Sequence, residues 1–387
     1  MTTITPFTTA TDERDELSTA VRRLLALRHD EGAVRNWMEF PDDYDRGLWS
    51  ELATGMGVTA MLISEEHGGA GFSAADLAPV FEEAGRALYG GPLLSTVLAT
   101  ALLQASGDES ACTRYLPAIA DGRITATVAL REEERAAPSV ASSSAHDPIA
   151  TRAELRDGGW FLTGTKTDVI DGCTAELVIV TARNDAGTGL YAVAPVEGGG
   201  VQRNPLATMD LTRKQARLAF VDAPAVPLGP ASGASAALAT ALNLGAFVFA
   251  AECLGTARTA LSQAVDYACS RRQFGRPIGS FQAVKHRLAD MWFALETAAV
   301  VLDEAVQGID RDGEPAPLDT EHALLACVEA LSVCAQGNIS VHGGIGFTWE
   351  HPAHLAYRRA RSAQTLLGPL QRHRDRLSDL AGLRPSG

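Results

Sequence analysis

From Ala234 to Ala251 the chain is largely apolar, with Thr240 and Asn243 among its few polar residues, and it then runs directly into Glu252. A membrane span needs about 20 apolar residues, so the stretch is short for that role and long for a strand. It predicts a helix buried inside other helices, continuing to Arg271. Two more helical stretches follow, Phe281 to Val306 and Thr320 to Val341, separated by the Asp-, Gly- and Pro-rich segment Gly308 to Leu318. The first third is helical in period as well: Leu17, Val21, Leu24 and Leu25 share a face, and Leu48 to Met56, Ala74 to Leu88 and Leu93 to Gln104 continue the pattern. Between these halves the character changes. Ile124 to Leu130, Trp160 to Leu162, Leu177 to Ala182, Leu190 to Ala194 and Gln215 to Phe220 read as short strands punctuated by Gly and Asp. Arg131 to Pro148 has no period and reads as a surface loop. The expectation is an α+β chain with a helical domain over 1–122, a β-barrel-like domain over 123–232 and a four-helix bundle over 233–387.

The 387 residues suit two or three domains, and 46% hydrophobic against 21% charged residues is the balance of a globular chain. A net charge of −14 argues against a nucleic-acid surface, which needs a basic footprint. The polar segment Met1 to Glu16 does not read as a secretory leader, and no membrane role is expected. The six cysteines form no C-x-x-C pair and read as small buried hydrophobes in a reducing, cytoplasmic setting. His342, His351 and His354 lie close in sequence but off one helix face, so loop or cap roles are expected and no metal site is. Ser142, Ser143 and Ser144 lack the G-x-S-x-G surroundings of a nucleophile elbow.

Two segments carry chemistry. In Ser270-Arg271-Arg272-Gln273-Phe274-Gly275-Arg276-Pro277-Ile278-Gly279-Ser280-Phe281-Gln282, a turn offers a cation, an amide and an aromatic face, which suit a pyrophosphate, a ribose edge and an adenine. In Val341-His342-Gly343-Gly344-Ile345-Gly346-Phe347-Thr348, the glycines let backbone N–H groups approach phosphate oxygens. The plain alternatives are a tight helix–helix turn and a helix cap. Together with Glu65-Glu66-His67-Gly68-Gly69 and Gly164-Thr165-Lys166, in this order, the segments resemble the acyl-CoA dehydrogenase family over nearly the whole chain. Ala250-Ala251-Glu252 and the run from His342 to His351 are most similar to actinobacterial chains of steroid and fatty-acyl catabolism. The resemblance implies FAD as cofactor, with Arg271, Gln273, Phe274, Gln282, Gly343, Gly344 and Gly346 reaching the FAD of a neighbouring subunit. It also implies an acyl-CoA or acyl-carrier-protein thioester as substrate and an acceptor such as electron-transfer flavoprotein. The expected assembly is a homo-oligomer or a heterotetramer with a related chain.

The chain departs from the family where the chemistry happens. The usual base is a Glu after the Gly-rich loop; Leu367 stands there, and the alternative position on the long helix is Gly245. Gly245, Phe249 and Glu252 fall at i, i+4 and i+7 of one helix face, which the resemblance makes the lining of the acyl pocket. Glu252 is thus the candidate base, with Gly245 opening room beside it; the plain alternative is a Glu paired to an arginine. On the flavin-ring side, Arg131 replaces the expected Thr, Asp168 and Ile170 replace an aromatic and a Thr, and Ser340 replaces a Gln. One reading is an FAD-dependent acyl-CoA dehydrogenase in an oligomer with shared sites. A second is a non-catalytic subunit completing a partner's FAD site, and a third is a flavin oxidase or oxygenase of secondary metabolism.

Overall fold

The computed structural model describes residues 10–40, 42–132, 149–194 and 199–383. Most of the loop expected over Arg131 to Pro148, including Ser142 to Ser144, lies outside them, as does the start of the segment read against a secretory leader. The chain opens with α1 (Ala10–Arg28), α2 (Glu31–Met38) and α3 (Arg46–Ser50), then a π-helical turn (Glu51–Gly55), α4 (Leu77–Arg86), α5 (Leu93–Ala105) and α6 (Glu109–Ala120). α2 and α6 escape the periodicity argument because they are short, but each begins on an Asp cap. Asp30 accepts from Ala33 N at 2.9 Å, and Asp108 accepts from Ala111 N at 3.0 Å.

Seven strands follow: β1 (Ala126–Ala129), β2 (Arg152–Arg156), β3 (Gly159–Ile170), β4 (Leu177–Asn184), β5 (Gly187–Val193), β6 (Val201–Pro205) and β7 (Gln215–Leu228). β4 pairs with β2, β2 with β3, β3 with β7, β7 with β5 and β5 back with β4, so five strands close a ring. Closure removes the exposed edges of an open sheet. β1 and β6 attach outside it, on β4 and β7. β2 and β6 carry largely exposed, polar residues, which is why alternation does not reveal them. The barrel has its own core around Leu162, Val178, Val180, Tyr191, Leu218 and Phe220.

The last third is α7 (Ala234–Ser270), a two-residue hairpin of β8 (Arg272–Gln273) and β9 (Arg276–Pro277), α8 (Gln282–Asp312), α9 (Pro317–His342), a 3-10 turn (Gly343–Phe347), α10 (Ala353–Ala363) and α11 (Leu370–Leu380). α8 runs beyond Val306, through Gly308, and stops at Gly313, whose φ of +86° is a left-handed helix end. α7 and α9 are each long and apolar enough to span a membrane by composition, but 72% of the apolar window of α7 lies buried within the protein. Cys112, Cys253, Cys327 and Cys334 are buried as expected; Cys173 is half-buried and Cys269 is exposed at the end of α7.

α4 crosses α7 at two glycines. A Cβ on Gly85 would lie 1.9 Å from the Glu252 carbonyl oxygen, and one on Gly255 would lie 1.8 Å from the Glu82 carbonyl oxygen. The backbones touch there, and Thr256 Oγ1 donates to Gly85 O at 2.8 Å. Nearer the start of α7, a Cβ on Gly245 would meet Leu98 Cδ2 of α5 at 2.2 Å. A backbone obstacle cannot rotate away, whereas a leucine tip can. Gly255→Ala is therefore expected to cost about 3 kcal/mol or more and Gly245→Ala nearer 1 kcal/mol, within the range of overpacked cores. Denaturant unfolding of both variants checks the order.

Candidate functional site

α7 ends at Ser270, and the chain turns back through β8 and β9 with Phe274 and Gly275 at its tip. Their φ values of +52° and +77° are those of a hairpin turn of the type that matches strand twist. Glycine accepts that conformation freely, but a phenylalanine there is an outlier of the sort that accumulates at functional positions. The ring of Phe274 is 91% exposed, and Arg271, Gln273 and Gln282 are exposed around it. Arg276 sits over the Phe281 ring at 4.1 Å. The turn thus presents a cation, amides and an aromatic face outward, away from its own core.

The Gly-rich turn shows two faces. Cβ atoms on Gly343 (φ +69°) and Gly344 would meet nothing within 4 Å, whereas one on Gly346 would strike His342 Cβ at 2.8 Å. Gly346 is packed inward and its two predecessors stay open to a ligand. Ser340, in place of the usual Gln, bonds its own helix through Gln336 O at 2.9 Å.

The flavin-ring side is built differently. Lys166 of β3 is fully buried; its Nζ donates to Glu132 Oε1 at 2.9 Å, Thr181 Oγ1 at 3.1 Å and Leu130 O at 3.2 Å. Burial opposes both charges, yet the pair persists: the lysine is pushed down to about 8, and the Lys166 charge with bonds from Ala150 N and Thr151 holds the Glu132 carboxyl at about 2. This clamp lays the end of β1 on β3 and brings the two departures together, with Arg131 Nη1 2.9 Å from Asp168 Oδ2. Where the resemblance calls for a hydroxyl and an aromatic ring, the chain has an ion pair; Ile170, in place of the second hydroxyl, is buried.

The α7 stripe is closed. Phe249 is buried beneath the guanidinium of Arg213, 5.5 Å above its ring, and the room expected beside Gly245 is taken by Leu98. Leu367 packs against the core. Glu252, 3% exposed, accepts on Oε1 from both Arg213 and Arg359. Arg359 also reaches Asp210 Oδ2 and Thr212 Oγ1, each at 2.6 Å, and Asp210 Oδ1 accepts from Thr212 N at 3.0 Å. Burial opposes the Arg359 charge, but Asp210 and Glu252 raise its affinity for the proton. Arg213 and Arg359 lie 39 and 107 residues from Glu252, so only an isolated acid in an apolar run hinted at them.

Beside this cluster lies Asp171, fully buried, accepting from Ser95 Oγ at 2.6 Å. Burial raises its carboxyl from 3.8 to about 6. The folded state therefore keeps the proton at pH values where the unfolded chain has lost it. The contribution of Asp171 to folding stability therefore falls as pH rises from 3.8 to about 6, and its charge then costs a constant amount, on the order of 3 kcal/mol. Asp171→Asn is expected to melt higher than wild type at pH 7.5, with the gap closing toward pH 4. Melting curves across that range test it.

Among the described residues no cluster of His, Cys, Asp and Glu is arranged to hold a metal. Residues 11–123 match the family description "Acyl-CoA dehydrogenase, N-terminal domain" and residues 231–381 match "Acyl-CoA dehydrogenase, C-terminal domain". The chain belongs to the acyl-CoA dehydrogenase family, whose cofactor is FAD. Acyl-CoA dehydrogenase IpdE2 of Mycobacterium tuberculosis is 35% identical over 93% of this chain and 95% of its own length. The ChsE4–ChsE5 complex from Mycobacterium tuberculosis superposes with a TM-score of 0.83 at 27% identity, covering 98% of this chain and 99% of the other. The Tcur3481–Tcur3483 steroid ACAD G363A variant gives 0.82 at 29%, covering 97% and 99%.

The open glycines and the exposed turn fit the phosphate and adenine half of FAD; where the resemblance expects ring contacts, the chain has the Arg131–Asp168 pair. Charge-assisted hydrogen bonds are worth roughly 1.5–3 kcal/mol. Arg271→Ala and Phe274→Ala are each expected to lower the flavin content of the purified flavin-carrying protein severalfold, read from absorbance at the flavin band.

Proposed function

We propose that this chain is the base-less subunit of a heteromeric acyl-CoA dehydrogenase, presenting its adenine-side segments to FAD shared with a related chain that carries the proton-abstracting carboxylate. The observation that carries this reading is the engagement of Glu252. A base must reach a substrate proton, and here Glu252 is 3% exposed with its Oε1 bonded by two buried guanidinium groups. Leu98 beside Gly245, Leu367 in the core and the Arg131–Asp168 pair support the same reading. So does the likeness to a two-component complex and to a protein described as a steroid ACAD. FAD, when bound, accepts hydride from the β-carbon of a thioester. This chain's Arg271 neutralises phosphate charge, Phe274 covers the adenine, and Gly343 and Gly344 admit the pyrophosphate. The substrate is an acyl-CoA, steroid-derived by that likeness, and the assembly is a soluble cytoplasmic oligomer that passes electrons to an acceptor such as electron-transfer flavoprotein.

Glu252→Gln separates the roles. If Glu252 holds the junction, the amide leaves two buried guanidinium groups under-compensated, and stability drops by about 3–5 kcal/mol with activity per folded oligomer unchanged. If it is the base, the rate falls about 10²–10⁴-fold with folding intact, and the proposal is wrong. Co-expression with a related chain should yield flavin and dehydrogenation of acyl-CoA only in the mixed complex. Full activity of this chain alone would overturn the reading.

A further inference from the structure

The two adenine-side segments are joined by a ladder of rings. Arg271 N donates to Tyr267 O at 2.8 Å, so the hairpin leaves α7 one turn after Tyr267. The Tyr267 ring stacks on His342 with centroids 4.2 Å apart and planes at 30°. His342, the last residue of α9, meets His351 at 4.2 Å on the far side of the Gly-rich turn. His342 Nδ1 donates to Asn338 O at 2.9 Å, and Asn338 Nδ2 donates at 2.9 Å to Gln263 Oε1, on the same helix as Tyr267. A Cβ on Gly346 would strike His342 Cβ at 2.8 Å, so the turn packs tightly on the residue that carries this ring. The far end is held as well. Arg35 Nη1 of α2 donates to Trp349 O at 2.6 Å, and the Trp349 ring is packed between Arg358 and His354.

We propose that the Tyr267–His342–His351 stack is a positioning element that makes the Arg271–Phe274 hairpin and the Gly343–Phe347 turn one rigid unit, setting their spacing for the FAD phosphates and adenine. His351 Nδ1 accepts from Ala353 N at 3.2 Å, which requires that nitrogen to be unprotonated. Burial and the neighbouring His342 lower the proton affinity of His351, keeping it the neutral ring that stacks without repulsion. Phe274 is 91% exposed and a Cβ on Gly344 would meet nothing within 4 Å, so the three rings act through the backbone they hold. The role concerns FAD alone and does not depend on whether the partner is a related chain or a second copy.

The test compares His351→Ala, Tyr267→Leu and the ring-preserving His351→Phe. Backbone hydrogen exchange is measured on the FAD-free chain, and FAD affinity is measured by fluorescence titration in whichever assembly retains flavin. Truncating either end should speed exchange in residues 271–275 and 343–347 together and weaken FAD about three- to tenfold, the size of one aromatic contact. His351→Phe should stay within about twofold of wild type. Thermal melting identifies any variant that merely unfolds, in which case the other truncation decides. Wild-type FAD affinity in both truncations, exchange that loosens one segment without the other, or His351→Phe behaving like His351→Ala would each overturn the proposal.

Discussion

Everything in this molecule is arranged around one carboxylate. Glu252 is taken out of water on the helix that crosses the whole chain, and burying such a charge costs several kcal/mol unless every neighbour compensates. The compensation comes from two directions, Arg213 from the segment entering β7 and Arg359 from α10, and Arg359 is itself held by a second acid, Asp210. The same turn of α7 is pressed against the α4 backbone at Gly85 and Gly255. Helical ends and barrel are thus bolted together at a point where neither backbone nor charge can shift. A cluster of this kind contributes less to net stability than to uniqueness, since a displaced helix would strand a buried ion.

The two halves of the proposed cofactor seat follow opposite rules. The adenine half spends conformational freedom to face outward: a phenylalanine in a left-handed conformation, glycines with empty space above them, cations without a core to neutralise. The ring half turns its charges on itself, with Glu132 held by Lys166 and Arg131 by Asp168. The first needs another molecule to make sense of it, whereas the second is satisfied within the chain.

The helix–barrel–helix order was readable because long apolar runs and alternating strands leave periodic traces, and α7, β4 and β7 do so strongly. β2 and β6 left none, being polar and exposed, and α2 and α6 are announced only by their Asp caps. At the site, Arg271, Phe274, Gly343 and Gly344 are local in sequence, and their outward placement follows from local turn geometry; Gly346, expected with them, is packed inward. The partners of Glu252 are not local. Gly245 misled for a related reason: a missing side chain implies space only when no distant residue has grown into it, and Leu98 has.

That last contact also bears on ancestry. A glycine and a leucine that fill each other's volume behave as a ratchet. Any side chain restored at 245 meets Leu98 within its first bond, and shrinking Leu98 first leaves a void in the core with nothing gained. Each single step is disfavoured, so the interlock holds glycine at 245 against change one substitution at a time.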